Sequence, residues 1–334
     1  VKKKEGFIMK KKGLLCLLTA GVMALSACGS TSESSSNFND EVVMKIDGRE
    51  IMKSEYMVYL YTTTKSFTAV GGDEIWSMDF DGQTADELVE ERTLNTLQSV
   101  VAAKKYAEEN DMALTDEQKQ EAVKASEQFV TNLPKEDIEK MGIDAKKLAP
   151  FMEDSYMYSF VYQALAAECE VDEAEKAKYY EDNKAQMTED YTLLDIETIV
   201  MDDLDKAKEV VQKARDGEDF EGLFKEYDVD ENAKKEEQGG KMSLYKTQFA
   251  SSFGLTDVPE VGTITDPIEM DGVYFIIKMN NITVPQDSEI KTVAEASFTN
   301  QKQAEYSDAR FAEMIAAQKV EYVDGVFENM EKFH

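Results

Sequence analysis

The chain has 334 residues, 68 acidic against 37 basic, a net charge of −31, and only three cysteines and one histidine. So acidic a chain lacks the basic footprint that nucleic acid requires, and its surface is self-repelling and highly soluble. With His334 the only histidine and Cys169 the only cysteine beyond residue 28, the folded body has no histidine general base, no cysteine zinc site and no intramolecular disulfide, and no metal or cofactor is implied.

The first residues contain a second, cleaner start at Met9, followed by Lys10, Lys11 and Lys12 and then an uncharged apolar run from Gly13 to Ala27. That run is too short to cross a bilayer comfortably, for which about 20 residues are needed. A basic start, a short apolar core and a small-residue end predict a secretory signal peptide over residues 1–27. Its end, Leu25-Ser26-Ala27-Cys28, resembles the lipobox of bacterial lipoproteins. The resemblance implies lipidation of Cys28 and an extracytoplasmic protein anchored to the cell membrane by lipid alone; the plainer alternative is an ordinary signal peptide with an incidental cysteine. Two or three acyl chains suffice for stable anchoring. The Ser-rich stretch after Cys28 cannot build a core, so 28–40 reads as a flexible tether. Without residues 1–27, which hold six lysines and one glutamate, the net charge becomes −36. This suits a solvated surface or, as a functional reading, attraction of cationic clients or metal ions.

Residues 42–51 predict two short strands around an Asp-Gly turn. A helix follows from Lys53 to Ala69, then a loop with Gly71, Gly72 and Trp76, the only tryptophan. Thr84-Ala-Asp-Glu87 and Thr115-Asp-Glu-Gln118 are capping boxes. They open helices to about Asn110 and Asn132. Further helices are predicted over Ala145–Glu168 and from Val171 to about Gln186. The texture then changes. Tyr191–Met201 is rich in strand formers, Asp205–Asp216 and Asp219–Tyr227 read as helices, and 228–262 reads as loop-rich. Val273–Met279 is the strongest strand, and a helix returns over about 289–318.

Four blocks in this second region carry a resemblance. Gly217-Glu-Asp-Phe220-Glu-Gly-Leu223-Phe-Lys-Glu-Tyr227, Gly239-Gly240-Lys-Met-Ser-Leu-Tyr245, Val261-Gly262-Thr-Ile-Thr-Asp-Pro267-Ile and Gly272-Val-Tyr-Phe-Ile-Ile-Lys278 resemble, in order, the conserved blocks of parvulin (PpiC-type) peptidyl-prolyl isomerases. Val171-Asp-Glu-Ala-Glu and Tyr179-Tyr180-Glu-Asp-Asn are similar to the lead-in helix of PrsA/SurA-type foldases. The resemblance implies an α+β fold. A helical chaperone domain built from both ends of the chain (41–187 and 283–334) is interrupted by an inserted parvulin-like α+β domain (188–282). It also implies a proline pocket from Met242, Phe249 and Phe253, with Val258 alongside, and places Asp230 at the family's active-site Cys or Asp. The bland alternatives are core packing for the apolar residues and a solvated loop carboxylate for Asp230.

The sequence departs from the family at the two places where active parvulins usually carry histidines. These are Thr198, which keeps a hydroxyl, and Phe275, which lines the site without polar capacity. The expectation is therefore an extracytoplasmic, lipid-anchored foldase that binds unfolded or proline-containing exported polypeptides, with an isomerase activity weakened at Thr198 and Phe275. The alternatives are a non-enzymatic holdase with a degenerate parvulin domain and, less well supported, a solute-binding lipoprotein of a transporter. Nothing in the sequence fixes an oligomeric state.

Overall fold

The computed structural model describes residues 38–236, 239–255, 257–327 and 330–334. The signal peptide, Cys28 and the tether up to Asn37 lie outside them. The chain divides into two units. One takes Val1–Cys169 with Gln303–His334, and the other takes Glu170–Lys302. The division thus falls at 170 and 302 rather than at the expected 188 and 282, because the helices that flank the inserted sheet cluster with that sheet.

In the first unit, strands β1 (Val42–Ile46) and β2 (Arg49–Met52) form a hairpin. Its Asp47-Gly48 turn has positive φ at both positions, as a two-residue hairpin turn demands. Helices α1 (Lys53–Gly71), α2 (Ala85–Glu109) and α3 (Asp116–Thr131) follow. Both capping boxes form, with Thr84 and Thr115 accepting from the backbone N–H of Glu87 and Gln118 at 3.2 Å. Helix α4 (Lys135–Met141) was not legible in the sequence, being two turns without a clear apolar stripe. It ends on Gly142 at φ +62, where a Cβ would strike the Phe38 ring. Asp144 caps α5 (Ala145–Glu168). The core gathers Ile46, Ile51, Met57, Tyr59, Leu97, Met141 and Leu148, all buried. Strand β9 (Val320–Tyr322) then returns to pair with β1, Met44 opposite Tyr322 and Ile46 opposite Val320. One sheet, ordered β2-β1-β9, therefore needs both ends of the chain.

The second unit opens with α6 (Glu173–Asp190), capped by Asp172. Strand β5 (Leu193–Met201) leads into α7 (Leu204–Arg215) and α8 (Phe220–Tyr227). Next come β6 (Lys241–Tyr245), α9 (Lys246–Phe253), β7 (Ile268–Met270) and β8 (Val273–Thr283). A two-residue pairing, β3 (Asp79–Phe80) with β4 (Gln83–Thr84), belongs to the first unit. The inserted sheet is antiparallel with order β6-β5-β8-β7. The segment 228–262 is thus not mainly loop. It holds β6 and α9, which the sequence hid because β6 is only five residues long and its Met242/Leu244 alternation is too short to stand out beside the charged run before it. Strand β8 also runs past Met279, since a bulge at Asn280 lets Asn281 pair with Asp195. Helix α10 (Asp287–Ala316) crosses the boundary between the units. The fold is α+β, with a helical part and a parvulin-like part.

Candidate functional site

Successive strand residues face opposite sides of a sheet, so the inserted sheet separates two apolar layers. Ile199, Met201 and Ile276 pack on α7 and α8 through Val210, Val211, Phe220 and Phe224. Leu194, Ile196, Ile277 and Met279 pack on the opposite side, under α9. The strand register puts Thr198 and Phe275 on this second face, since Thr198 is paired with Ile277 and Val200 with Phe275. Thr198 and Phe275 are therefore diagonal neighbours on adjacent strands. Met242 joins them opposite Ile196.

Five of the sequence-derived site residues thus share one face with Val258, which packs at its margin. Their accessibility differs. Met242 is 44% exposed, whereas Phe249 is fully buried and Phe253 is 5% exposed. The i, i+4 spacing of Phe249 and Phe253 puts them together on α9, ring centroids 5.3 Å apart. Phe275 meets Phe253 edge-on at 5.8 Å. The two α9 phenylalanines are core in this arrangement, and Phe275 leans on that core. The open part of the face is its rim: Met242, with the half-buried Phe275 and Val258.

The polar candidates are engaged elsewhere. Thr198 is buried, its N–H donating to Gly240 O at 2.7 Å and its hydroxyl to the same oxygen at 3.3 Å. Asp230 is exposed, and its carboxylate accepts from the backbone N–H of Asn232 at 2.8 Å and Ala233 at 3.1 Å. Those two bonds, Ala233 first, stabilise the carboxylate and hold the Asp230 carboxyl below the ordinary carboxylate pKa range.

Sequence reasoning missed Asp228. Beyond Glu197 the edge of β5 has outrun β6, and the Asp228 loop takes over. Its Oδ2 accepts from Val200 N at 2.7 Å, its Oδ1 from Asp230 N at 2.7 Å, and Val229 N donates to Val200 O. Burial pushes the Asp228 carboxyl up, against the pull of those two N–H donors. Its position two residues before Asp230, in the same acidic run, gave the only local signal. Asp228→Asn would keep one acceptor and aim an amide N–H₂ at a donor. We expect a loss of about 1–3 kcal/mol, read as a lowered urea midpoint, with Asp230→Asn much milder.

The family model for the PPIC-type PPIase domain matches residues 171–297. The chain is 25% identical over 315 residues to the foldase protein PrsA of Caldanaerobacter subterraneus, spanning 92% of this chain and 94% of that protein. It is 26% identical over 291 residues to PrsA of Oceanobacillus iheyensis, spanning 84% and 78%. Residues 171–297 are thus a PPIC-type parvulin domain, and over most of its length the chain is similar to PrsA-type foldases. Among solved structures, it is similar to the foldase PrsA from Streptococcus pneumoniae, with TM-score 0.40, 17% identity and coverage of 72% of this chain and 92% of that one. No group of three or more metal-ligating side chains occurs among the described residues, and no described helix is long and apolar enough to cross a membrane.

Proposed function

We propose that this protein is an extracytoplasmic foldase, lipid-anchored through Cys28, that binds unfolded exported polypeptides and whose parvulin domain turns X–Pro bonds slowly. The PPIC-type match over 171–297 carries this reading, and the lipobox ending at Cys28 supports the location. Uncatalysed X–Pro isomerisation takes tens to hundreds of seconds because twisting the amide sacrifices its resonance. No bond is cleaved, so a catalyst needs only a surface that holds the proline and polar groups that favour the twisted amide over the planar one. In this reading Met242, Val258 and Phe275 hold the ring from the open rim. Phe249 and Phe253 back it from within, and Thr198 and Asp230 border the site.

A second reading, a holdase without isomerase activity, is favoured by a specific observation. Thr198 and Asp230 both spend their polar groups on backbone, and Phe275 covers Phe253. A solute-binding role would need two similar α/β lobes, and the two units here are unlike. A proline-limited refolding assay separates the first two readings: acceleration above background supports the foldase, and delayed aggregation of an unfolded client without acceleration leaves the holdase. The double substitution Thr198→His with Phe275→His should raise the isomerisation rate roughly 2–10-fold. That gain equals one net hydrogen bond of about 0.5–1.5 kcal/mol gained in the twisted state. No gain in a correctly folded variant would mean that residues 198 and 275 do not limit turnover.

A further inference from the structure

The first unit contains a cavity of about 260 Å³ between α2, the 110–115 turn and α5. It is smaller than the roughly 300–1,000 Å³ of small-molecule sites, so it suits one side chain rather than a cofactor. Its apolar wall is Ala107, Met112, Leu114 and Met157, with the exposed Ala113 at the mouth. Two unbranched thioethers make that wall adaptable to side chains of different shape. One flank is the Lys104–Asp154 ion pair at 2.7 Å, whose charges are mutually engaged. Glu108, Glu153 and Lys119 also line it, and none of these three makes a side-chain ion pair among the described residues. Its unpaired charges therefore sum to one negative, on a chain whose net charge is −31.

We infer that this cavity is a client-binding site that seats one bulky apolar side chain of an extended polypeptide, with a lysine or arginine beside it drawn to Glu108 and Glu153. This deepens the foldase reading and rests on it for the identity of the client. The strong acidity of the chain then has a local purpose, since long-range attraction concentrates cationic segments and the two free carboxylates select the register in which the apolar residue enters.

The test uses the full-length protein and three fluorescently labelled peptides with the central sequences Lys-Phe-Lys, Lys-Ser-Lys and Glu-Phe-Glu. The Lys-Phe-Lys peptide should bind at least about tenfold more tightly than either of the others, the tenfold being about 1.4 kcal/mol. Ala113→Trp, which plugs the mouth from an exposed position, should weaken Lys-Phe-Lys binding by about tenfold and leave isomerisation of a short proline peptide unchanged. The surface pair Glu108→Lys with Glu153→Lys should reverse the preference between Lys-Phe-Lys and Glu-Phe-Glu. Unchanged binding by Ala113→Trp, or equal affinity for all three peptides, overturns the inference. Aggregation suppression separates this from the foldase reading. A wild type that binds the peptide but protects no client leaves the cavity site and removes the foldase; protection undiminished by Ala113→Trp does the reverse.

Discussion

Gly240→Ala destabilises the parvulin unit by about 3 kcal/mol, and Gly239→Ala by at least as much. Gly240 sits at φ +77, and a Cβ there would lie 2.7 Å from Thr198 O and 2.9 Å from the Phe224 ring. A left-handed non-glycine residue costs roughly 1–2 kcal/mol, and overpacking a tight contact adds roughly 1–3 kcal/mol. At Gly239 the new Cβ would meet Ala233 O at 2.0 Å. That neighbour is backbone, so no rotamer change relieves the clash and the 233–235 turn must move. Gly240 also supplies the carbonyl that receives Thr198 N–H and hydroxyl, so displacing it frees the strand on which the proposed site is built. Because Trp76 is the only tryptophan and belongs to the first unit, its fluorescence serves as an internal reference. Urea unfolding followed by far-UV circular dichroism should shift to lower concentration in both variants while the Trp76 transition stays in place. Unshifted dichroism would show that the glycines are not needed for the close approach.

The parts of this molecule that were legible in its sequence are those whose cause is local. A capping box spans four residues, so Thr84 and Thr115 announce their helices. Strand β8 carries its own apolar run, and the glycine pair at 239–240 belongs to a recognisable block. What was hidden depends on partners far along the chain. Strand β6 is too short for its Met242/Leu244 alternation to announce it, and its pairing with β5 is what makes it a strand. The spacing of Phe249 and Phe253 showed that they share a helix face, but whether that face opens to solvent is decided by what Phe275 does on another strand. Asp228 and Asp230 are indistinguishable in an acidic run, yet one satisfies a strand edge and the other only its own turn. The same holds for the charges of the helical unit, where Arg49, Glu55, Lys104 and Asp154 come from four different elements and form one network.

That network makes the stability of the protein fall as pH rises from about 4.5 to about 7. Glu55, on α1, is almost fully buried and 2.8 Å from Arg49 on β2; Arg49 also reaches Asp154 on α5 at 2.9 Å, and Lys104 on α2 binds Asp154 at 2.7 Å. Tyr59, one turn along α1, packs its buried hydroxyl into the same region. Burial pushes the Glu55 carboxyl up to about 7; Arg49 opposes this, but Asp154 competes for the same guanidinium and adds its own negative charge. The sign follows from which state holds the proton. Between the unfolded value of 4.5 and the folded value of about 7, the native protein keeps a proton that the unfolded chain releases. Stability contributed by this group therefore declines across that window and is flat above it. The full loss is on the order of 3 kcal/mol at about 1.4 kcal/mol per unit, and most of it, about 2 kcal/mol, falls between pH 5 and pH 8. Glu55→Gln keeps an acceptor for Arg49 and removes the titration. Its stability relative to wild type should therefore rise by about 2 kcal/mol on going from pH 5 to pH 8, measured by urea unfolding of Trp76 fluorescence at each pH. A difference that stays constant with pH would mean that Glu55 is ionised throughout. Asp154→Ala should instead be destabilising at both pH values by about 3 kcal/mol, because it leaves Arg49 and Lys104 without their shared carboxylate. The contrast between the two variants separates the cost of burying a carboxylate from the benefit of pairing one. It would also show whether the charge network beside the cavity is held together by Asp154, the one acid that bonds both cations.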